Sequence, residues 1–289
     1  MLTTARAYFL LTKPRVIELL LVTTLPAMIL ADGGLPSLGL IVSVLFGGAL
    51  AAGGANTINC WIERDRDHLM RRTRDRPLPA GDVDPNGALV FGLVLEVAAF
   101  AMLWATANLL AASLAVGAML FYVFVYTIWL KPRTPQNIVI GGAAGAVPAL
   151  VGWASVTGSL ALPAWVLFTI VFLWTPPHFW ALAMRYHDDY ANAGFPMLPV
   201  VRGTAAAVRQ IFVYSVVVAT FSLVLPVVTT MSPLYPIAAV GLGAMFVFAA
   251  FQLRRDPTPE RAIRLFMFSN TYLALLFAAV AVDTLLRAA

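Results

Sequence analysis

Asn59, Glu63 and Asp67 follow one another at steps of four residues. On an α-helix each such step turns the side chain by only about 40°, so the amide and two carboxylates share one face and span about 12 Å. Carboxylates this close repel one another unless a cation lies among them. An all-oxygen donor set favours Mg2+, which takes one or two carboxylates and completes its shell with water and phosphate oxygens. Just beyond, Arg71, Arg72, Arg74 and Arg76 supply donors for phosphate. Acids beside arginines are the makings of a metal–diphosphate site. The bland alternative is a solvated loop whose charges pair with one another. The position of the pattern at the end of an apolar run weighs against it.

A second polar segment runs from Pro177-His178-Phe179 through His187-Asp188-Asp189-Tyr190 to Pro196-Met197-Leu198-Pro199. Asp188 and Asp189 would add a second acidic cluster around one diphosphate; read alone, they are ordinary charges at a helix end. His178 lies within an apolar run, where a polar side chain is a functional candidate by default. It could ligate haem iron or move a proton. Lys131 and Arg133, and also Lys13 and Arg15, are further anion donors if they point into a shared cavity. Lys13 reads better as a membrane anchor.

The elements that must position these groups are helices in a bilayer. Of 289 residues, 61% are hydrophobic and 11% charged, and the mean hydropathy is +0.85. A soluble protein of this size needs more polar surface. Nine apolar runs, near 16–32, 38–60, 86–107, 110–130, 137–157, 161–184, 208–230, 233–252 and 263–286, are each long enough to cross about 30 Å of hydrocarbon. The runs do not alternate, so strands are excluded. The expected fold is an all-α integral membrane protein, nine transmembrane helices in a bundle, forming one domain over residues 1–289. Gly141, Gly142 and Gly145 are expected to pack helices closely.

The charges sort by side. The N-terminus and the segments after spans two, four, six and eight, counted with the first turn of the next span, hold 18 of the 19 Lys and Arg residues; only Arg287 is left over. The positive-inside rule places those segments, and the N-terminus, in the cytoplasm and the C-terminus outside. The net charge of +5 therefore speaks of topology and anionic ligands, not nucleic acid. The lone Cys60 excludes an intramolecular disulfide. No phosphate-binding Gly-x4-Gly-Lys-[Ser/Thr] loop exists. A secondary transporter would place its polar groups near the bilayer midplane; here they crowd one edge, and the opposite loops are bare.

At these residues the chain resembles the UbiA superfamily of intramembrane prenyltransferases, and within it the branch that farnesylates haem. The likeness includes Thr12-Lys13-Pro14-Arg15, Asn59 to Pro77, Tyr126 to Asn137, Pro177-His178-Phe179, Asp188-Asp189-Tyr190 and Phe268-Ser269-Asn270-x-Tyr272. Glu63 stands where many members have Asp, His187 where many have Lys or Arg, and no acid follows Asp189 by four residues.

The resemblance implies transfer of a farnesyl group from farnesyl diphosphate to a vinyl group of haem b at the cytoplasmic face of the cell membrane, giving haem O for terminal oxidases. Mg2+ would be held by Asn59, Glu63 and Asp67, with Asp188 and Asp189. Arg72, Arg76, Lys131 and Arg133 would bind the diphosphate, and Trp61, Tyr126, Phe179 or Trp180 would shield an allylic cation. Asn59, Glu63, Asp67 and His178 are the expected catalytic residues. Implied partners are the two substrates and the lipid bilayer, with a homodimer, haem A synthase or oxidase assembly factors as protein candidates. A sister enzyme acting on an aromatic quinone precursor is the alternative.

Overall fold

The computed structural model describes residues 3–289. Among them there is no strand, and nine helices are long and apolar enough to cross a membrane. A short helix, α1 (Thr4–Leu11), precedes the first span, α2 (Pro14–Asp32). Then come α3 (Leu38–Asp67), α4 (Pro85–Thr106) and α5 (Leu109–Leu120), followed by α6 (Asn137–Thr157), α7 (Leu162–Arg185) and the short α8 (His187–Asn192). The last part holds α9 (Leu198–Phe221), α10 (Leu225–Val228), α11 (Leu234–Arg255) and α12 (Pro259–Ala288).

Local signals set the helix ends. Ser37, Asp84 and Asn108 each accept the backbone N–H three residues on, as N-caps do. Gly33 and Gly158 stop α2 and α6 with φ of 74° and 65°, a left-handed turn that only glycine makes without strain.

Three elements depart from the apolar runs. Helix α3 continues seven residues past its expected end, to Asp67, so Asn59, Glu63 and Asp67 all ride on one helix. After α5 the chain widens into π-helical turns over Phe121–Leu130, where bonds run i→i+5; Lys131 N–H reaches the Tyr126 carbonyl at 2.8 Å. The seventh span begins at Leu198, ten residues earlier than hydropathy suggests, because Arg202, Arg209 and Gln210 hide its start. It breaks at Gly203, where φ is 75° and ψ 170°.

Two large apolar cores divide the bundle. One joins α6, α7, α9, α11 and α12 around Tyr235, Phe246, Tyr272 and Phe277; the other joins α2 to α6 around Met28, Leu103 and Val151. A small third one joins α1, α3 and α4 around Leu11, Cys60 and Ala88. Large apolar side chains such as Val97, Trp104, Phe124 and Phe248 point outward. Such an apolar surface suits lipid and not water.

Glycines let helices touch at chosen points. A Cβ on Gly152 of α6 would strike the Thr24 carbonyl of α2, and one on Gly142 would come within 2.9 Å of Thr175. Gly145 is a correction: it faces open space and packs against nothing. Glu96, in the seam between α3 and α4, has both carboxyl oxygens buried without a partner.

The leftover Arg287 has a local use. Its Nε donates to Asp283 Oδ1 at 3.0 Å. Asp283 also accepts from Ser232 N, Ser232 Oγ and Tyr235 N. It therefore caps the start of α11 from α12, and Arg287 balances its charge.

Candidate functional site

The polar groups converge where α3 leaves the apolar bundle. Asn59, Glu63 and Asp67 are 2%, 5% and 0% exposed, so the shared face turns inward. Each meets a cation from another segment or from the loop beyond. Lys131 Nζ donates to Glu63 Oε1 at 2.5 Å, Arg76 Nη1 donates to Asp67 Oδ2 at 2.8 Å, and Lys13 Nζ donates to Asn59 Oδ1 at 2.7 Å.

Asn59 is oriented by the π-helical turns. There the Thr127 hydroxyl donates to the carbonyl of Tyr122, five residues back, at 2.9 Å, and accepts from Asn59 Nδ2 at 3.1 Å. With the amide nitrogen used in this way, Oδ1 is left to face Lys13. The same turns carry Tyr126 and Lys131 to the site. The Lys131 ammonium lies 5.7 Å from the Tyr126 ring and 4.6 Å from the Phe195 ring. Gly141 makes room for Tyr126, since a Cβ there would overlap that ring.

Lys13, for which the sequence favours a membrane anchor over an anion donor, lies at the site, its ammonium on Asn59. It is the one described non-glycine residue with positive φ, at 54°. That conformation costs roughly 1–2 kcal/mol, and proline at position 14 already disfavours the ordinary helical one. Asn56 Nδ2 holds the segment in place by donating to the Thr12 carbonyl at 2.9 Å. Sequence reasoning missed Phe195, 1% exposed; Lys131 and Arg66 both lie over its ring.

Burial and charge act in opposite directions on these cations. Burial lowers the Lys13 pKa below its ordinary value, since one amide oxygen compensates little for lost water. Burial opposes the charge of Lys131 too, but the Glu63 carboxylate overcomes it and raises the pKa. Asp67 does the same for Arg76.

The second acidic pair does something other than expected. Asp189 is buried, and its oxygens accept the backbone N–H groups of Arg71 and Arg72 at 3.2 and 3.1 Å. It ties the second loop to the first. The Asp188 side chain is 95% exposed and pairs with His187 at 3.0 Å. The structure therefore does not bring Asp188 to the acidic face of α3, where a shared metal would place it. Arg133 also falls outside: it is exposed, and its guanidinium donates to the carbonyls of Ile128 and Trp129. Arg72 lies over the rings of Tyr186 and Tyr190, 5.6 and 5.8 Å away, at the rim of the cluster.

Does this site suit a metal? Asp67 Oδ1 is buried and has no partner, an orphan that a cation would satisfy. The other donors are amide and carboxylate oxygens, the chemistry of Mg2+. Among the described residues no three His, Cys, Asp or Glu side chains form a metal centre. The protein donors would thus be few, with the rest of the shell left for water and phosphate oxygens.

His178 lies deeper, on α7, stacked between Trp174 and Phe266 with ring centroids 4.2 and 4.3 Å away. Its tautomer follows from its neighbours. The Ser269 hydroxyl donates to the Phe266 carbonyl at 2.6 Å, so toward His178 Nδ1, 2.7 Å away, it can only accept. Nδ1 therefore carries the proton and Nε2 a lone pair. Of the aromatic candidates for shielding a cation, Tyr126 stands at the charged cluster. Phe179 packs edge-to-face with His178, Trp180 edge-to-face with Tyr214, and Trp61 sits under Arg64.

Residues 20–272 match the model of the UbiA prenyltransferase family. The protoheme IX farnesyltransferase of Clavibacter sepedonicus is 52% identical over 284 residues, covering 97% of this chain and 93% of that one. Protoheme IX farnesyltransferase 1 of Saccharopolyspora erythraea is 54% identical over 281 residues, covering 96% and 89%. Among solved structures, a UbiA homologue from Archaeoglobus fulgidus bound to GPP and Mg2+ superposes with a TM-score of 0.70 at 18% identity, over 95% of this chain and 99% of that one. The apo structure of a homologue from Aeropyrum pernix K1 gives 0.73 at 16% identity, over 92% and 98%. These two carry the fold alone.

Proposed function

The chain belongs to the UbiA prenyltransferase family and is a multi-pass membrane prenyltransferase; from that premise we propose that it transfers a farnesyl group from farnesyl diphosphate to a vinyl group of haem b. The curated relatives with that activity in their names, at 52–54% identity over nearly the whole chain, support the acceptor. The observation that carries the chemistry is the inward face of α3, where Lys13, Lys131 and Arg76 meet Asn59, Glu63 and Asp67.

The diphosphate enters this cluster as an exchange of partners. Lys131 and Arg76 turn from carboxylate to diphosphate oxygens, joined by Lys13 and, at the rim, Arg72. The released oxygens of Glu63 and Asp67, with Asn59 Oδ1, are then free to hold Mg2+. Mg2+ held there would neutralise diphosphate charge and make it a better leaving group. The protein cations stabilise the charge that builds as the C1–O bond breaks. Tyr126, 5.7 Å from the Lys131 ammonium, is the aromatic group that would shield the allylic cation. The vinyl group forms the new C–C bond, water adds to the resulting carbocation beside the porphyrin, and a proton is lost. The products are haem O and diphosphate.

His178 offers Nε2 as a ligand to the haem iron. Neutral imidazole is the commonest protein metal ligand, and ligating histidines are usually fixed by a hydrogen bond from the other ring nitrogen. Ser269 supplies that bond. Such a ligand would set the acceptor's position, not its reactivity.

In this reading residues 1–289 work as one unit in the cell membrane. The charged edge faces the cytoplasm, with the N-terminus inside and the C-terminus outside. The test incubates purified protein with Mg2+ and farnesyl diphosphate, offering haem b or 4-hydroxybenzoate. Haem O should form and no prenylated benzoate. Product with 4-hydroxybenzoate alone would overturn the acceptor assignment.

A further inference from the structure

A second polar pocket lies between the start of α6, α7 and α9. It is a cavity of about 100 Å³ lined by Gln136 at the start of α6, Trp180 of α7, and Arg202, Arg209, Gln210 and Tyr214 of α9. Trp180 is 2% exposed, and its Nε1–H is buried without a hydrogen-bond partner. Among the described residues neither Arg202 nor Arg209 forms an ion pair. No acidic side chain lines the cavity. Two uncompensated guanidinium groups, an orphaned indole N–H, two amides and a phenol make a wall rich in donors. Of these donors the Trp180 indole N–H is the one buried without an acceptor, a rare state in folded proteins; the two exposed guanidinium groups beside it supply the charge that draws an anion.

We propose that this pocket binds the phosphate headgroup of an anionic membrane phospholipid. The chemistry selects a phosphate oxyanion, since guanidinium groups match its oxygens in pairs. The volume admits a headgroup phosphate and excludes a porphyrin. The setting selects a lipid. Just beyond Arg209 and Gln210, the same helix exposes Val213 and Val217, an apolar track on which acyl chains can lie. Basic pockets between membrane helices hold anionic headgroups elsewhere by the same balance of charge and apolar wall. The break at Gly203 separates the turn carrying Arg202 from the turn carrying Arg209, so the two arginines approach the cavity from different backbone directions. Trp180, one of the four aromatic groups the resemblance offers as a cation shield, packs instead against Tyr214, so the pocket stands or falls apart from the farnesyl-transfer reading.

The experiment adds phosphatidylglycerol, phosphatidylcholine or inorganic phosphate to the full chain in neutral detergent. Native mass spectrometry reads bound lipid, and the thermal midpoint reads stabilisation. Phosphatidylglycerol should bind one saturable site and raise the midpoint. Arg202→Gln/Arg209→Gln should weaken that binding about tenfold or more, as expected for lost charged hydrogen bonds. Both arginines are exposed, so the variant should fold. Trp180→Phe, which keeps the ring and removes only the N–H, should give a smaller loss of the same sign. Equal phosphatidylglycerol binding by wild type and double variant would overturn the site. Equal affinity for phosphatidylcholine would overturn the anionic lipid, and equal stabilisation by inorganic phosphate would overturn a lipid as the source.

Discussion

Asp189 accepts the backbone N–H of Arg72 through Oδ2 at 3.1 Å, across 117 positions of sequence. One carboxylate thus fixes the loop that displays the arginines, while its neighbour Asp188 is exposed. The two adjacent acids should behave differently. Asp188→Asn should keep transfer within about fivefold of wild type, since exposed pairs are worth about 0–1 kcal/mol. Asp189→Ala leaves two backbone donors unmade, at about 1–3 kcal/mol each. It should raise KM for farnesyl diphosphate about tenfold or more, with a smaller effect on kcat. Equal losses for the two variants would return both acids to the metal.

Asp67 faces Arg76 with one oxygen and has no partner for the other. Asp67→Ala should lower kcat at least about 100-fold, the scale seen when one preorganised charge-stabilising group is removed. It also strands the Arg76 guanidinium, so the thermal midpoint should fall. Arg76→Gln with Asp67→Ala should recover stability and not activity. Steady-state kinetics and thermal unfolding of the three proteins check both halves.

Chelation separates the two substrates. Excess EDTA should abolish farnesyl transfer and leave haem b binding, read by its Soret band, unchanged, because the oxygen donors of α3 serve the diphosphate. Mg2+ should restore the rate. Loss of haem binding on chelation would place the metal at the acceptor instead.

These expectations were unevenly legible in the chain. Asn59, Glu63 and Asp67 could be read because spacing on one helix is local, and α3 runs unbroken through all three. The partners of Glu63 and Asn59 could not be read from spacing. Lys131 reaches Glu63 through π-helical turns that an apolar sequence does not announce, and Lys13 depends on a strained backbone that Asn56 holds from 44 residues away. Asp189 looks like a metal ligand in a list of acids; only tertiary structure shows that the loop's own N–H groups use it.

The Ser269 relay gives His178 a testable signature. Ser269→Ala removes the acceptor for Nδ1–H, so the ring loses its fixed tautomer while keeping both stacking partners. If Nε2 ligates haem iron, His178→Ala should shift the Soret band of bound haem, and Ser269→Ala should weaken haem binding with a smaller shift. Imidazole added to His178→Ala should restore the wild-type band. Unchanged spectra in both variants, with transfer intact, would remove the ligand role and leave the enzyme assignment standing.

Gly152 and Gly145 lie seven residues apart on α6 and should respond oppositely to alanine. At Gly152 the new Cβ meets the backbone carbonyl of Thr24, which cannot rotate away. Either α2 or α6 must shift, and overpacking of this kind costs about 1–3 kcal/mol. At Gly145 the Cβ meets nothing within 4 Å, so what remains is the helix preference for alanine over glycine, about 1 kcal/mol. Gly152→Ala should therefore lower the thermal midpoint and Gly145→Ala should hold or raise it. The first should also reduce transfer. Helix α2 begins next to Lys13, and moving it against α6 pulls that ammonium from Asn59. A Gly152→Ala protein that unfolds like wild type would show that α2 and α6 are farther apart than this packing requires.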